Sequence, residues 1–205
     1  MCADRLMDRK TFLKEGPLHL IRAFFQGAHE VKVVRGHRPP EQDLLLRPPG
    51  AAKPEARFLE LCLGSAACSI ACPANAIRMV PRRDDPGLIG PLIRPAENAC
   101  VLCEGLSCMK ACPTGALTLV PREAIRIGLA GVDGGECLAW SGQQESCAAC
   151  AERCPVGAAA IVIEERGGAR GPVVREAGCT GCGVCEYYCP VYPSAIRIRP
   201  LPEAG

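Results

Sequence analysis

Large aromatic side chains are scarce in this sequence, which has one Trp, three Tyr and four Phe among 205 residues. A chain so poor in large apolar groups buries a thin core for its length, so another kind of bond is expected to help hold it together. An excess of charge of one sign is also missing. Acidic and basic residues are interspersed and the formal net charge is +2, which leaves no nucleic-acid footprint and no polybasic membrane patch. No apolar run approaches the roughly 20 residues that cross a bilayer, so no transmembrane segment is expected and the chain reads as soluble. Histidine is confined to His19, His29 and His37. With no carboxylate pair or Gly-rich phosphate loop in view, no residue is assigned a catalytic role.

What the sequence has instead is cysteine, sixteen residues of it. That level marks either a disulfide scaffold or a metal protein. Spacing decides between them. Two Cys separated by only two residues seldom form a structural bridge, and fifteen of the sixteen fall into four tight groups. Metal is favoured, and with it reduced thiols during assembly. Cys2, outside the groups, reads as an incidental N-terminal thiol.

The chain divides in two at about residue 57. Residues 1–57 read as an N-terminal helical and Pro-rich extension. A helix is plausible from Leu6 to Val34, interrupted near Gly16-Pro17, with an apolar stripe at Leu18, Ile21, Phe24 and Phe25. The stretch ends in Arg38-Pro39-Pro40 and Arg47-Pro48-Pro49-Gly50. Residues 58–200 repeat, and 201–205 form a tail. Each repeat is a Cys group closing on Cys-Pro, followed by a short apolar segment that reads as a strand: 76–80, 116–120, 160–163 and 195–198. Strand-like segments at 90–94 and 171–175 precede the second and fourth groups. This rhythm predicts an α+β fold of two bacterial-ferredoxin-like dicluster modules, with short strands and helices around the metal.

The fourth group, Cys179-x2-Cys182-x2-Cys185-x3-Cys189-Pro, has the bacterial ferredoxin spacing. Three Cys on a tight loop reach three irons of one cube, while the fourth is carried away to ligate a different cluster. Gly181 and Gly183 let the loop wrap closely and leave backbone N–H groups free for the sulfides. Zinc sites seldom show this third and fourth spacing with a terminal Cys-Pro. The second group, Cys100-x2-Cys103-x4-Cys108-x3-Cys112-Pro, has two extra loop residues. The third, Cys137-x9-Cys147-x2-Cys150-x3-Cys154-Pro, is stretched, and its long interval holds Trp140, read as core packing or as a shield over the metal. Tyr187 and Tyr188, beside the fourth group, are read first as core packing, otherwise as insulation or a partner contact.

The first group is altered: Cys62-x2-Ser65-x2-Cys68-x3-Cys72-Pro carries Ser65 where a Cys is expected. Three outcomes follow. The site holds a [3Fe–4S] cluster, which needs only three thiolates; or an atypically ligated [4Fe–4S] cluster completed by Ser65, water or a distant ligand such as Cys2; or nothing. The other three sites are expected to hold [4Fe–4S] clusters.

Residues from about 44 to 200 resemble the NapG/MauM family of ferredoxin-type proteins. The resemblance rests on Leu46-Arg47-Pro48-Pro49-Gly50-Ala51, on Cys100 to Leu117 (CVLCEGLSCMKACPTGAL), on Arg126-Ile127-Gly128-Leu129-Ala130, on Cys137-Leu138-Ala139-Trp140 and on Cys179-Thr180-Gly181-Cys182-Gly183. It implies four [4Fe–4S] clusters passing electrons, commonly from a membrane quinol-oxidising partner towards a periplasmic acceptor. Related four-motif subunits pair the first motif with the fourth and the second with the third. That implies Cys72 with Cys179, Cys182 and Cys185; Cys189 with Cys62, Cys68 and Ser65; Cys154 with Cys100, Cys103 and Cys108; and Cys112 with Cys137, Cys147 and Cys150. A sequential pairing, first with second and third with fourth, is the competing assignment.

The function expected is an electron-transfer protein or oxidoreductase subunit that relays electrons between protein redox partners, a reductase or dehydrogenase subunit or a membrane quinol oxidase among them. A cluster-delivery factor and an enzyme working at an open iron are the competing readings. Members of the family typically carry a twin-arginine signal. Here Arg9-Lys10-Thr11-Phe12-Leu13-Lys14 leads into Glu15-Gly16-Pro17 with no apolar stretch after it, so the cytoplasm is the expected location and the periplasm the alternative.

Overall fold

A computed structural model describes residues 45–202. The expected N-terminal helix, its apolar stripe and Cys2 lie outside the described residues.

The described chain is a mixture of short helices and strands, and no element is longer than seven residues. Its opening segment is built into the body. Leu46 is fully buried and its carbonyl accepts the Ile93 N–H at 2.8 Å. The next residue, Arg47, ties three elements together. Its guanidinium pairs with Glu55 at 2.5 Å, donates to the Pro91 carbonyl at 2.8 Å and lies 4.4 Å over the Phe58 ring. Glu55 and Phe58 belong to helix α1 (Glu55–Leu61), where Pro54 sits at the N-cap and Glu55 complements the dipole of the first turn.

Six strands form three separate antiparallel pairs. Strand β1 (Ile77–Pro81) pairs with β2 (Ile89–Ile93), with Ile77 opposite Ile93. Strand β3 (Leu129–Val132) pairs with β6 (Ile196–Arg199), with Val132 opposite Ile196. Strand β4 (Ile161–Arg166) pairs with β5 (Ala169–Val174) across the tight Gly167-Gly168 turn. Five of these strands coincide with expected segments, but β3 was not anticipated. The segment 116–120, expected as a strand, makes only a single bridge from Leu117 to Ala51. Its partner, Gly50 to Ala52, lies between Pro48-Pro49 and Pro54, so pairing is confined to two backbone bonds, Ala52 N–H to the Ala116 carbonyl at 2.9 Å and Thr118 N–H to the Gly50 carbonyl at 2.8 Å, and Pro121 ends the extended run.

The core is small and made in large part of sulfur. Phe58, Leu46, Ile93, Ile125, Ile196 and Ile198 are its largest fully buried apolar residues, and seven cysteines are buried with them. Among the described residues no helix is long and apolar enough to cross a membrane.

Candidate metal centres

In every motif the third Cys occupies the same place, the second residue of a one-turn helix. These helices are α2 (Ala67–Ile70, Cys68), α3 (Ser107–Lys110, Cys108), α4 (Ala149–Glu152, Cys150) and α5 (Val184–Tyr187, Cys185). In three motifs the residue before the helix has a left-handed backbone: Ala66 at φ 60°, Leu106 at φ 48° and Gly183 at φ 87°. A non-glycine residue held there is strained by roughly 1 kcal/mol or more, a cost tolerated when loop geometry demands it. The stretched third motif differs, since Ala148 has φ −133°.

Helix α2 packs on α3, and α4 on α5. Three cavities lie beside these pairs, each ringed by cysteines of two motifs. In the first site Cys62, Ser65 and Cys68 meet Cys112. In the second, Cys100, Cys103 and Cys108 meet Cys72. In the fourth, Cys179, Cys182 and Cys185 meet Cys154. The third group gathers in a small buried cluster of its own, where Cys137 packs with Cys147, Cys189 and Trp140, and the Cys150 thiol is close enough to feel the charges of Cys137 and Cys147.

The pairing of the first motif with the fourth and the second with the third is therefore corrected to the sequential one. Strand pairing supplies the reason. The strand after each Cys-Pro runs antiparallel to the segment that enters the neighbouring motif. Strand β1 leaves Cys72 and pairs with β2, which leads to Cys100; Leu117 follows Cys112 and bridges Ala51, upstream of Cys62. Strand β4 leaves Cys154 and pairs with β5, which leads to Cys179; β6 leaves Cys189 and pairs with β3, which leads to Cys137. Each departing Cys is thus set down beside its neighbour's triad. The second and fourth sites touch through one bond, the Cys100 N–H donating to the Cys182 carbonyl at 2.9 Å.

All fifteen described cysteines are free thiols. Among the described residues no Cys, His or carboxylate side chains converge as a single metal ion requires. The thiols ring a cavity instead, which suits a polynuclear group better than one zinc ion. Burial pushes Cys100 up to about 12 and Cys108 and Cys150 up to about 11, with neighbouring thiols adding repulsion. Burial raises Cys68, Cys182 and Cys185 as well. Cys112 moves the other way: burial raises it, but N–H groups of Leu117, Thr114 and Gly115 and the Thr114 hydroxyl outweigh that. Four mutually repelling sulfurs in a low-dielectric pocket need cationic metal to become thiolates together. Backbone donors are already aimed at two of them, Ala76 N–H at Cys72 Sγ (3.4 Å) and Leu117 N–H at Cys112 Sγ (3.3 Å). The donor set fits iron–sulfur ligation.

Ser65 lines the first cavity as expected but is exposed. Trp140 packs as the core reading expects: its indole N–H donates to the Pro172 carbonyl at 3.0 Å, its ring lies against Gly171, and it packs on the third group of cysteines. Tyr187 and Tyr188 are not core residues. Both are exposed, in an edge-to-face pair at 5.0 Å, and Arg153 lies 4.5 Å over Tyr188. Sequence reasoning missed Thr180, whose hydroxyl is buried in the fourth site. Its position between Cys179 and Cys182 was the available signal.

Comparison with known proteins agrees with this geometry. Residues 61–116, the first two motifs together, match the family model of a 4Fe-4S dicluster domain. The methylamine utilization ferredoxin-type protein MauM of Paracoccus denitrificans is 40% identical over 76% of this chain and 71% of its own length. MauM of Methylophilus methylotrophus is 34% identical over 96% of this chain and 86% of its own. The ferredoxin-type protein NapG of Escherichia coli is 34% identical over 76% and 71% respectively.

Proposed function

The chain belongs to the family of MauM and NapG ferredoxin-type proteins, and we propose that its motif cysteines hold a series of iron–sulfur clusters that relays electrons between two protein partners. The observation that carries this is the exchange of the Cys-Pro cysteines between neighbouring motifs: Cys72, Cys112 and Cys154 line their neighbours' cavities, and Cys189 packs with Cys137 and Cys147. That exchange supports two dicluster modules, one from the first and second motifs and one from the third and fourth. Within each module the sites adjoin through α2–α3 or α4–α5, and the modules adjoin at Cys100 and Cys182. The order along the series is then first, second, fourth, third site, with the outer two facing partners.

Three sites take [4Fe–4S] clusters: Cys72, Cys100, Cys103 and Cys108; Cys154, Cys179, Cys182 and Cys185; Cys137, Cys147, Cys150 and Cys189. The first takes a [3Fe–4S] cluster on Cys62, Cys68 and Cys112. The exposure of Ser65 supports this, because the corner lacking a thiolate is the one facing solvent. Such clusters supply reversible electron carriage at potentials spanning about −700 to +450 mV. The chain's own part is to hold them adjacent, exclude water with Ile77, Ile93, Ile125, Ile161 and Ile198, and donate N–H groups to the sulfurs. No bond chemistry is required of it. Its partners are redox proteins, a reductase or dehydrogenase subunit at one end and a quinol oxidase at the other. We place the protein in the cytoplasm, a reading with which the fifteen described free thiols are compatible; fractionation recovering the protein in the periplasm would overturn that placement.

Anaerobic purification with iron and sulfide counts, and EPR before and after dithionite, tests the reading. About 15 irons with a three-iron signal in the oxidised state are expected from three cubes and one three-iron site. About 16 irons without that signal would mean a replacement ligand at Ser65, and about 12 an empty first site. One or two zinc ions without visible absorbance would sink the relay altogether.

A further inference from the structure

Thr180 is only 4% exposed, and its Oγ1 is the one buried side-chain oxygen or nitrogen without a hydrogen-bond partner among the described residues. Burying a hydroxyl unpaired costs roughly 1–3 kcal/mol, so such a group calls for a partner. Within the chain it interacts with the Cys182 thiol, which burial raises and it lowers without reaching hydrogen-bond distance, and the backbone around it is tightly fixed. The Thr180 carbonyl accepts the Ile127 N–H at 2.8 Å. On its other side Gly181, at φ +67°, lies so close to Gly128 that a Cβ would stand 2.3 Å from that residue's N and O atoms. The loop cannot turn the side chain out to water. Thr180 instead lines the fourth cavity together with Cys154, Cys179, Cys182 and Cys185.

We infer that the Thr180 hydroxyl is a hydrogen-bond donor to the sulfur of the group held in the fourth site, and so sets that group's potential above that of an otherwise equal site. This rests on the fourth cavity being a cluster site. The sign follows from charge. Reduction adds one electron and no proton, so the reduced form is the more negative acceptor and the O–H dipole stabilises it more than the oxidised form. The first site also has a hydroxyl beside a sulfur, that of Thr114 at 3.8 Å from Cys112 Sγ, but Thr114 is only half-buried and follows the last Cys of its motif. The residues that correspond to Thr180 after the first Cys of the other motifs are Leu63, Val101 and Leu138.

The test uses the full chain carrying Thr180→Val, which keeps the shape and removes the donor, beside Thr180→Ser, which keeps the donor. Potentiometric EPR titration is expected to show one cluster shifted downward in Thr180→Val. At a fixed poise its reduced-to-oxidised ratio should fall about tenfold, which is about 59 mV for a one-electron couple. The other clusters should be unmoved and Thr180→Ser close to wild type. One exchangeable coupling, seen as the difference between proton ENDOR spectra in H₂O and in D₂O, should be present in wild type and in Thr180→Ser and missing in Thr180→Val alone. An unchanged potential in Thr180→Val overturns the inference, and so does an equal fall in Thr180→Ser, which would assign the effect to packing. A Cys179→Ser variant separates this from failure of the underlying reading: iron content and spectra unaffected by that change would mean the fourth cavity holds no cluster.

Discussion

Cys179, Cys182 and Cys185 are 8%, 7% and 9% exposed, whereas at the equivalent places of the first motif only Cys68 is buried, Cys62 is half-buried and Ser65 faces solvent. The loops share one construction, a tight turn into a one-turn helix, yet their surroundings are opposite. The fourth site is walled by Ala130, Ile161 and Ile198 and pressed against Gly128. Around the first, Leu63 and Ile70 stand 76% and 83% exposed. A ligand can be lost at the rim, where water reaches the vacated corner. In the middle of a thin core the same loss would leave three buried sulfurs without full compensation.

The sharpest way to break this comparison is to remove one ligand from each site. Cys185→Ala should cost at least about four irons and lower the melting temperature by several degrees, because the fourth site lies between the second and third. Cys68→Ala should cost only about three irons and leave the melt nearly unchanged. Equal losses from both variants would dissolve the distinction.

A second contrast needs no ligand change. A Cβ at Gly181 would lie 2.3 Å from backbone atoms of Gly128, which cannot yield, while at Gly64 it would meet the Ile89 carbonyl at 2.7 Å and that residue's Cγ1 at 3.1 Å. Both glycines have positive φ. Gly181→Ala should destabilise by about 3 kcal/mol and Gly64→Ala by about half of that, read by chemical denaturation under anaerobic conditions.

A ferrous chelator should strip iron in two phases, a fast one from the solvent-facing first site and a slow one from the rest. A single phase would mean that exposure at Ser65 confers no lability. The mildest perturbation is Ser65→Cys, which supplies the missing thiolate. It should add about one iron, abolish the oxidised-state three-iron signal and slow the fast chelation phase. Persistence of that signal would show that something other than the absent ligand keeps the site at three irons.

The site residues were legible because metal ligation demands particular atoms at particular spacings. The Cys-Pro terminators and the apolar runs behind them announced β1, β4 and β6, since a β-branched segment after a Pro has few other conformations open to it. Strand β3 was not legible, for Leu129-Ala130-Gly131-Val132 has little strand propensity and is extended because Ile196–Arg199 pairs with it. The segment 116–120 failed the other way, having propensity but only a single bridge to Ala51. Tyr187 and Tyr188 follow a buried Cys185 and Glu186 in sequence, yet the one-turn helix ends there and turns both rings outward.

By itself, then, the sequence determined that this chain binds iron and sulfur, which cysteines are available, and that Ser65 interrupts one set, because those properties reside in side-chain chemistry and local spacing. Which cysteine serves which cavity, which site is sheltered and which lies open, and where the Thr180 hydroxyl points were decided only by the tertiary structure. Those depend on which strand lies beside which, and hairpin pairing between distant segments is settled by packing that no single motif contains.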